Sequence, residues 1–509
     1  MEKRQIINIV NFIRDTEPRL PMDLITPVKM QIELMKKHNL KGTFLLQYDA
    51  LTDKVYQDML KELDPSQFEI GVWLEIVEPQ VKKAGLTWRG RYSWDWATNV
   101  GFSVGYTKEE REKLIDVLFT DFNEIFGYYP KVLGSWLYDT HTIKYANEKY
   151  GLSAICNCKE QYGTDGYTLW GGYYGQGYYP SKNNVFLPAG KCENQIDVPL
   201  FRMLGSDPVY QFDHGMSVDK NENSVQGVIT LEPAATEAGG NDFSWIDWYL
   251  KENFNGDCLS FGYAQAGQEN SFGWARMGKG LTYQFEQFEK LQKEGEISVE
   301  TLGESGEWFK KTYTITPASA ITAHSAYNDE DKSSVWYSSK NYRINLYLDH
   351  GKFRIRDIHI FSDKLNDPFM DEVCTTEKAC YEALPFIDGN RYSGNGILAG
   401  GYIEGIESFS DMSFSDLGDG CAKVSYGSLS FELKENSFKI EGNAPFSLKN
   451  MIGIDGNHKP SVLSLNDKEV TFEYGREKYR VKAKTGKVLS ESEFSSEGNC
   501  LLIEFETEI

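Results

Sequence analysis

Two carboxylates and two guanidiniums crowd the end of the first apolar run of this chain. Residues 6–13 lead directly into Arg14-Asp15-Thr16-Glu17-Pro18-Arg19. An acid kept ionised by neighbouring arginines can act as general base or nucleophile. Asp15 is the first candidate for that role, with Arg14 beside it to orient a substrate. The arrangement recurs, because later apolar runs end in Gln47-Tyr48-Asp49, Trp73-Leu74-Glu75, Trp136-Leu137-Tyr138-Asp139 and Phe201-Arg202. Acids, amides and aromatics at successive strand ends build a polar pocket suited to a hydroxyl-rich ligand.

Asp139 would face Asp15 across such a pocket. Paired carboxylates flanking a scissile bond divide acid from base or nucleophile in most glycosidases. Asp139 equally suits the N-cap of a helix starting near Thr140. His141, two residues on, is a candidate general acid. Gln265-Ala266-Gly267-Gln268-Glu269-Asn270 offers Glu269 as an acid catalyst and Gln268 as a hydroxyl ligand. Gln47 and Glu75 are further strand-end binding groups, and Glu232 in Leu231-Glu232-Pro233 is another strand-end acid. Arg202 suits a substrate carboxylate, which a guanidinium grips in bidentate fashion.

The segment 161–184 carries Tyr162, Tyr167, Trp170, Tyr173, Tyr174, Tyr178 and Tyr179 among six glycines. Aromatic faces stack on sugar rings. Trp136, Tyr167 and Trp170 are therefore expected to wall a cleft, unless the loop packs on itself. Asn345 is a further expected substrate ligand, placed on an alternating strand.

The elements that must hold these groups change character along the chain. Up to residue 305, strand-like runs at 6–13, 42–48, 68–74, 131–138, 152–156, 196–202, 227–231, 258–263 and 297–301 alternate with helical runs. Helices are expected over 26–38, 51–63 and 272–294, and Thr107 with Glu110 is a capping box opening another. This alternation predicts a parallel sheet closed into a (β/α)7-8 barrel, whose catalytic face lies at the strand ends. Beyond residue 313 the grammar is that of hairpins: 342–348 alternates strictly and His350-Gly351 turns the chain. The expected fold class is thus α/β, with a catalytic barrel over 1–312 and an antiparallel β-sandwich over 313–509.

Bulk properties narrow the function. The 509 residues carry a net charge of −22, which argues against nucleic acid and anionic membranes. No run of about 18 apolar residues occurs, and residues 1–5 lack a signal core, so a cytoplasmic location is expected. Eight cysteines are too sparse for a disulfide scaffold. Cys156-Asn157-Cys158 is a weak metal motif without a second pair. No two of the seven histidines stand three or four residues apart.

The strand ends resemble the barrel shared by polysaccharide deacetylases and the family-38 and family-57 glycosidases. Phe68-Glu69-Ile70-Gly71 is similar to a deacetylase strand, and Trp136-Leu137-Tyr138-Asp139 to the Trp-x-x-Asp that carries the family-38 nucleophile. The likeness covers residues 1–305. Deacetylases hold a metal with an Asp and a spaced His pair, yet Gly71 is followed by Val72-Trp73, and a family-38 zinc set is incomplete. The layout also resembles the family-156 exo-sialidases. That resemblance implies an inverting reaction with Asp15 as base, His141 or Asp139 as partner, and Arg202 on the sialic-acid carboxylate.

The expectation is a glycoside hydrolase acting on small oligosaccharides or glycoconjugates through strand-end acids, without a catalytic metal or other cofactor. An inverting exo-sialidase is the specific variant, and a non-catalytic carbohydrate-binding barrel and a metal-dependent deacetylase are the rivals. The oligomeric state is left open.

Overall fold

A computed structural model describes residues 3–210, 229–234, 238–453 and 458–508. Its first half is built around seven parallel strands. They are β1 (Gln5–Ile13), β2 (Gly42–Leu46), β3 (Phe68–Trp73), β4 (Val132–Gly134), β5 (Ala154–Cys158), β6 (Leu200–Met203) and β7 (Gly262–Ala266). They pair in the order β7-β1-β2-β3-β4-β5-β6. A short eighth strand, β8 (Ser298–Glu300), pairs the first half of β1. β1 is buried along nearly its whole length, as expected where helices cover the outside of a parallel sheet.

The sheet curls but does not close into the full barrel expected. The free edge of β6 is taken by a short antiparallel strand, Gly177–Tyr178. Among the described residues β6 and β7 are not paired as strands; the Gly205 N–H donates to the Gln265 carbonyl at 3.0 Å and Phe201 meets Tyr263 at 5.0 Å across the seam. Of the expected strand 227–231, residues 227 and 228 lie outside the described residues; Thr230 forms a lone bridge with Ser206.

Local chemistry sets the helices. Thr107 and Glu110 form the capping box that opens α2 (Lys108–Phe126), which follows α1 (Ile25–Lys37). Gly127 ends α2 in the left-handed conformation (φ 82°), where a side chain would be strained. α3 (Thr140–Tyr150) follows β4, and α4 (Trp274–Glu294) follows β7.

The second half is two antiparallel sheets packed face to face over one apolar core that includes Ile344, Leu346, Val424 and Phe431. The strand Tyr342–Asp349 alternates as expected, but its polar face is buried too. Arg343, Asn345, Asp357 and His359 lie against the barrel half rather than in water. The halves also share backbone pairing, since Ala379–Glu382 runs parallel to Tyr167–Trp170. Among the described residues no helix is long and apolar enough to cross a membrane.

Candidate active site at the strand ends

Side chains on a strand alternate between faces, and that parity decides which groups reach the mouth of the curled sheet. Val10, Phe12, Trp73, Val132, Cys156, Phe201, Met203 and Tyr263 form one buried cluster inside it. Ile7, Ile9 and Ile13 pack outward with the helices. The inward row of β1 continues to Arg14, that of β3 to Glu75, and that of β4 to Trp136. Phe12 stacks on Trp73 at 4.3 Å and Trp136 meets Trp73 edge-on at 4.9 Å, so three rings floor the mouth.

Arg14 is the hub. One nitrogen, Nη2, donates to Glu75 Oε2 at 3.2 Å and to Glu269 Oε2 at 3.1 Å. Its guanidinium lies 3.9 Å from the Trp94 ring centroid and 4.8 Å from that of Phe12. Burial works against its charge, but Glu269, Glu75 and Glu17 outweigh burial and hold it protonated. Trp73 Nε1 donates to Glu75 at 3.0 Å. Burial nonetheless pushes the Glu75 carboxyl up to about 7, against the pull of Arg14 and with the charge of Glu269 adding to the rise. Arg19 pairs Glu17 at 2.6 Å, which overcomes burial and keeps Glu17 below its usual range.

Above this hub opens a cavity of about 130 Å³, lined by Arg14, Trp136, Tyr167, Gln268 and Glu269 among others. A cavity of that order accommodates one six-membered ring. Glu232 lines the same cavity, and burial, reinforced by the charge of Glu269, raises its carboxyl to about 7. Asp165 is also on the wall and is raised by burial. The site therefore joins a carboxylate hydrogen-bonded by a buried arginine to a second carboxyl that keeps its proton near neutrality. A carboxyl raised toward neutrality by its surroundings is suited to hold the proton of a general acid.

Other expected groups lie elsewhere. Asp15 has the opposite parity to Arg14 and does not line the cavity; its neighbours are Asp49, Asp53 and Tyr56. Asp139 is fully buried, pairs with Arg111 Nη1 at 2.9 Å and caps α3 through the Thr142 N–H at 2.9 Å. The cap reading of Asp139 is thus the one its geometry matches, and it does not meet Asp15. His141 sits on α3 and contacts Glu112 at 2.9 Å, away from the cavity. Arg202 falls between the inward Phe201 and Met203, so it points out of the sheet and lies 5.0 Å over the Phe186 ring. It is not at the mouth where a substrate carboxylate would meet it.

Gln47 is buried one layer behind, donating to the Glu75 carbonyl at 3.3 Å. Trp170 is not in a sugar cleft. Its indole donates to Asp388 at 2.7 Å between the two halves, and most tyrosines of its loop are core. Asn345 is fully buried in the sandwich, donating to Ser334 Oγ at 2.8 Å and accepting from Arg356 Nε at 2.7 Å. Expected as a substrate ligand, it does not line the cavity, because the polar face of its strand is itself buried.

Asp165 and Lys159 are among the cavity residues that escaped sequence reasoning. Asp165 lies in a turn whose position depends on pairing with the sandwich half. Lys159 follows the apolar β5 directly, and a lysine immediately after the inward Cys156-x-Cys158 pair was the available signal. Cys156 and Cys158 are both buried. The one group of His, Cys and acid side chains with metal-ligand spacing among the described residues is Asp329, Asp331 and His350, on the sandwich surface. None of the described histidines lines the cavity, so the donors there do not fit a histidine-held metal of the deacetylase kind.

No protein-family model matches the chain, and no curated protein matches it. Solved structures do. A Parabacteroides distasonis protein described provisionally as a glycoside hydrolase/deacetylase aligns over 76% of this chain and 92% of its own, with TM-score 0.54 and 14% identity. A polysaccharide deacetylase, also provisionally described, from Mycobacterium smegmatis covers 61% and 92% at TM-score 0.35 and 14% identity. A family-57 branching enzyme from Thermococcus kodakaraensis covers 62% and 72% at TM-score 0.32 and 11% identity. The first of these likenesses shows that the chain shares the fold of the Parabacteroides protein.

Proposed function

We propose that the protein is a glycoside hydrolase whose working carboxyls are Glu269 and Glu232. The observation that carries this is their shared cavity: Glu269 receives a hydrogen bond from Arg14, while Glu232 is raised to about 7. Glu232 would protonate the departing glycosidic oxygen, and Glu269 would act as nucleophile or activate water. Arg14 holds Glu269 in place, and Trp136 and Tyr167 offer apolar faces to the sugar. Gln268 offers an amide to its hydroxyls. The substrate is a small oligosaccharide or glycoconjugate end, handled without nucleic acid or membrane.

An exo-sialidase needs a cation on the substrate carboxylate, and the outward turn of Arg202 removes the group expected there. The hydrolase reading is tested with a panel of aryl glycosides, an aryl sialoside included, with and without EDTA. Hydrolysis of a neutral glycoside unaffected by EDTA supports it. Binding of oligosaccharides without turnover favours the non-catalytic barrel, and release of acetate that EDTA abolishes favours the deacetylase.

A further inference from the structure

The cavity wall carries an amine for which the acid pair has no use. Lys159 follows β5, is nearly fully buried, and lines the cavity beside Glu160. Its ammonium nitrogen lies 4.6 Å from the Tyr174 ring centroid and has no hydrogen bond or ion pair among the described residues. Glu160, the adjacent acid, is already committed. It pairs Arg343 of the sandwich half at 2.7 Å and accepts from the Gly171 N–H at 2.5 Å. Arg202 on β6 and Arg343 add positive charge nearby, and Cys158 stands beside it on its own strand.

A buried lysine without a counter-ion sheds its proton readily. Here burial, then Arg202, push the Lys159 ammonium down to about 7, with Glu160 and Cys158 opposing and Arg343 assisting. A lysine desolvated next to another cation is the arrangement that turns an amine into a nucleophile toward carbonyl compounds.

We propose that Lys159 is a carbonyl-reactive amine that captures the open-chain aldehyde or ketone of a small sugar as an imine inside the cavity. The neutral Nζ lone pair attacks the carbonyl carbon, the C–N bond forms and the C=O π pair moves to oxygen. A proton passes from nitrogen to that oxygen, giving a carbinolamine. A protonated carboxyl of the wall, Glu232, then delivers its proton to the hydroxyl, which leaves as water while the nitrogen lone pair closes the C=N bond. The carboxylate recovers its proton from nitrogen. Amine and carbonyl thus become imine and water with no oxidant or reductant. The polar wall, with Gln161, Gln268 and Thr230, suits a hydroxylated carbonyl compound over an apolar one.

The test is reductive trapping on the full-length protein. Glycolaldehyde and cyanoborohydride are added across pH 5.5–9, and peptide mass mapping follows the modification rate at each lysine. The expected result is a Lys159 adduct formed at neutral pH at least tenfold faster than at the exposed Lys54 and Lys82, with its rate half-maximal near pH 7. Lys159→Met should lose the fast adduct and keep the slow surface ones. Labelling of Lys159 no faster than Lys54, or none at all, overturns the proposal. The wild-type map decides by itself if the variant fails to fold. The readout is mass rather than hydrolysis, so this proposal and the glycosidase reading stand or fall separately.

Discussion

Arg14 and Asp15 are consecutive, yet they face opposite sides of the same sheet. Arg14 Nη2 stands 3.1 Å from Glu269 at the mouth, whereas the Asp15 backbone N–H donates to Asp49 at 3.1 Å outside it. One residue of parity separates the hub of the site from a peripheral acid.

Arg14→Met removes the shared partner of Glu75 and Glu269 and leaves two buried carboxyls facing each other. Removing one member of a buried ion pair costs about 3–5 kcal/mol. The urea midpoint should fall accordingly. kcat on a hydrolysed aryl glycoside should drop about 100-fold or more, the scale at which losing one preorganised electrostatic contact registers.

Asp139→Ala separates structure from chemistry. The substitution strands Arg111 and uncaps α3; the lost cap costs about 1 kcal/mol and the broken buried pair about 3–5 kcal/mol, so the ion pair dominates. Stability should fall strongly while kcat of the folded protein stays within a few-fold of wild type. Urea unfolding and active-site-normalised kinetics check both halves, and a kcat loss of 1,000-fold in a fully folded Asp139→Ala protein would return Asp139 to the catalytic pair.

The pH profile follows from Glu232. A general acid works only while protonated, so kcat/KM should decline above about pH 7, where that carboxyl loses its proton. Glu232→Gln should abolish this alkaline limb. The stability consequence has its own sign. Carboxyls raised from 4.5 to about 7 in the fold, Glu75 and Glu232, bind more protons folded than unfolded. They make stability fall between about pH 4.5 and 7 and add no slope above that. Urea midpoints measured across that interval test it.

The junction between the halves titrates in a different window. His359 is fully buried between Asp357 Oδ1 at 3.0 Å and Asp388 Oδ2 at 3.5 Å. Burial works against its charge, yet the two acids prevail and raise it to about 9. A histidine raised in the fold contributes stability that is complete below about 6.5 and lost as pH rises through 9. Urea midpoints should therefore fall from pH 6.5 to 9.5, and His359→Gln should flatten that decline while lowering stability at pH 6.

The parallel strands and the sandwich were readable because each carries its own local period and turn signals. So was a group of mouth residues, Arg14, Glu75, Trp136 and Glu269, since each lies within three residues of a strand end. Parity within those runs would also have set Asp15 and Arg202 aside, because Phe12 and Arg14, or Phe201 and Met203, cannot share a face with their immediate neighbours. What remained hidden depends on contacts distant in the chain. Lys159 is isolated because Glu160 is taken by Arg343, 183 positions away. Trp170 and Asn345 are buried by the meeting of two halves that hairpin and helix periods describe one at a time. The open seam between β6 and β7 likewise follows from Gly177–Tyr178 occupying the β6 edge, which no local signal in β6 announces.

The central claim is that Glu269 and Glu232 form the working pair. Its most direct test is hydrolysis of a cleaved aryl glycoside by Glu269→Gly, with and without added azide. The account predicts a fall in kcat of about 100- to 10,000-fold, partly restored by azide with formation of a glycosyl azide. A Glu269→Gly protein that hydrolyses the substrate within about three-fold of the wild-type rate, far less than a lost catalytic carboxylate costs, would contradict it.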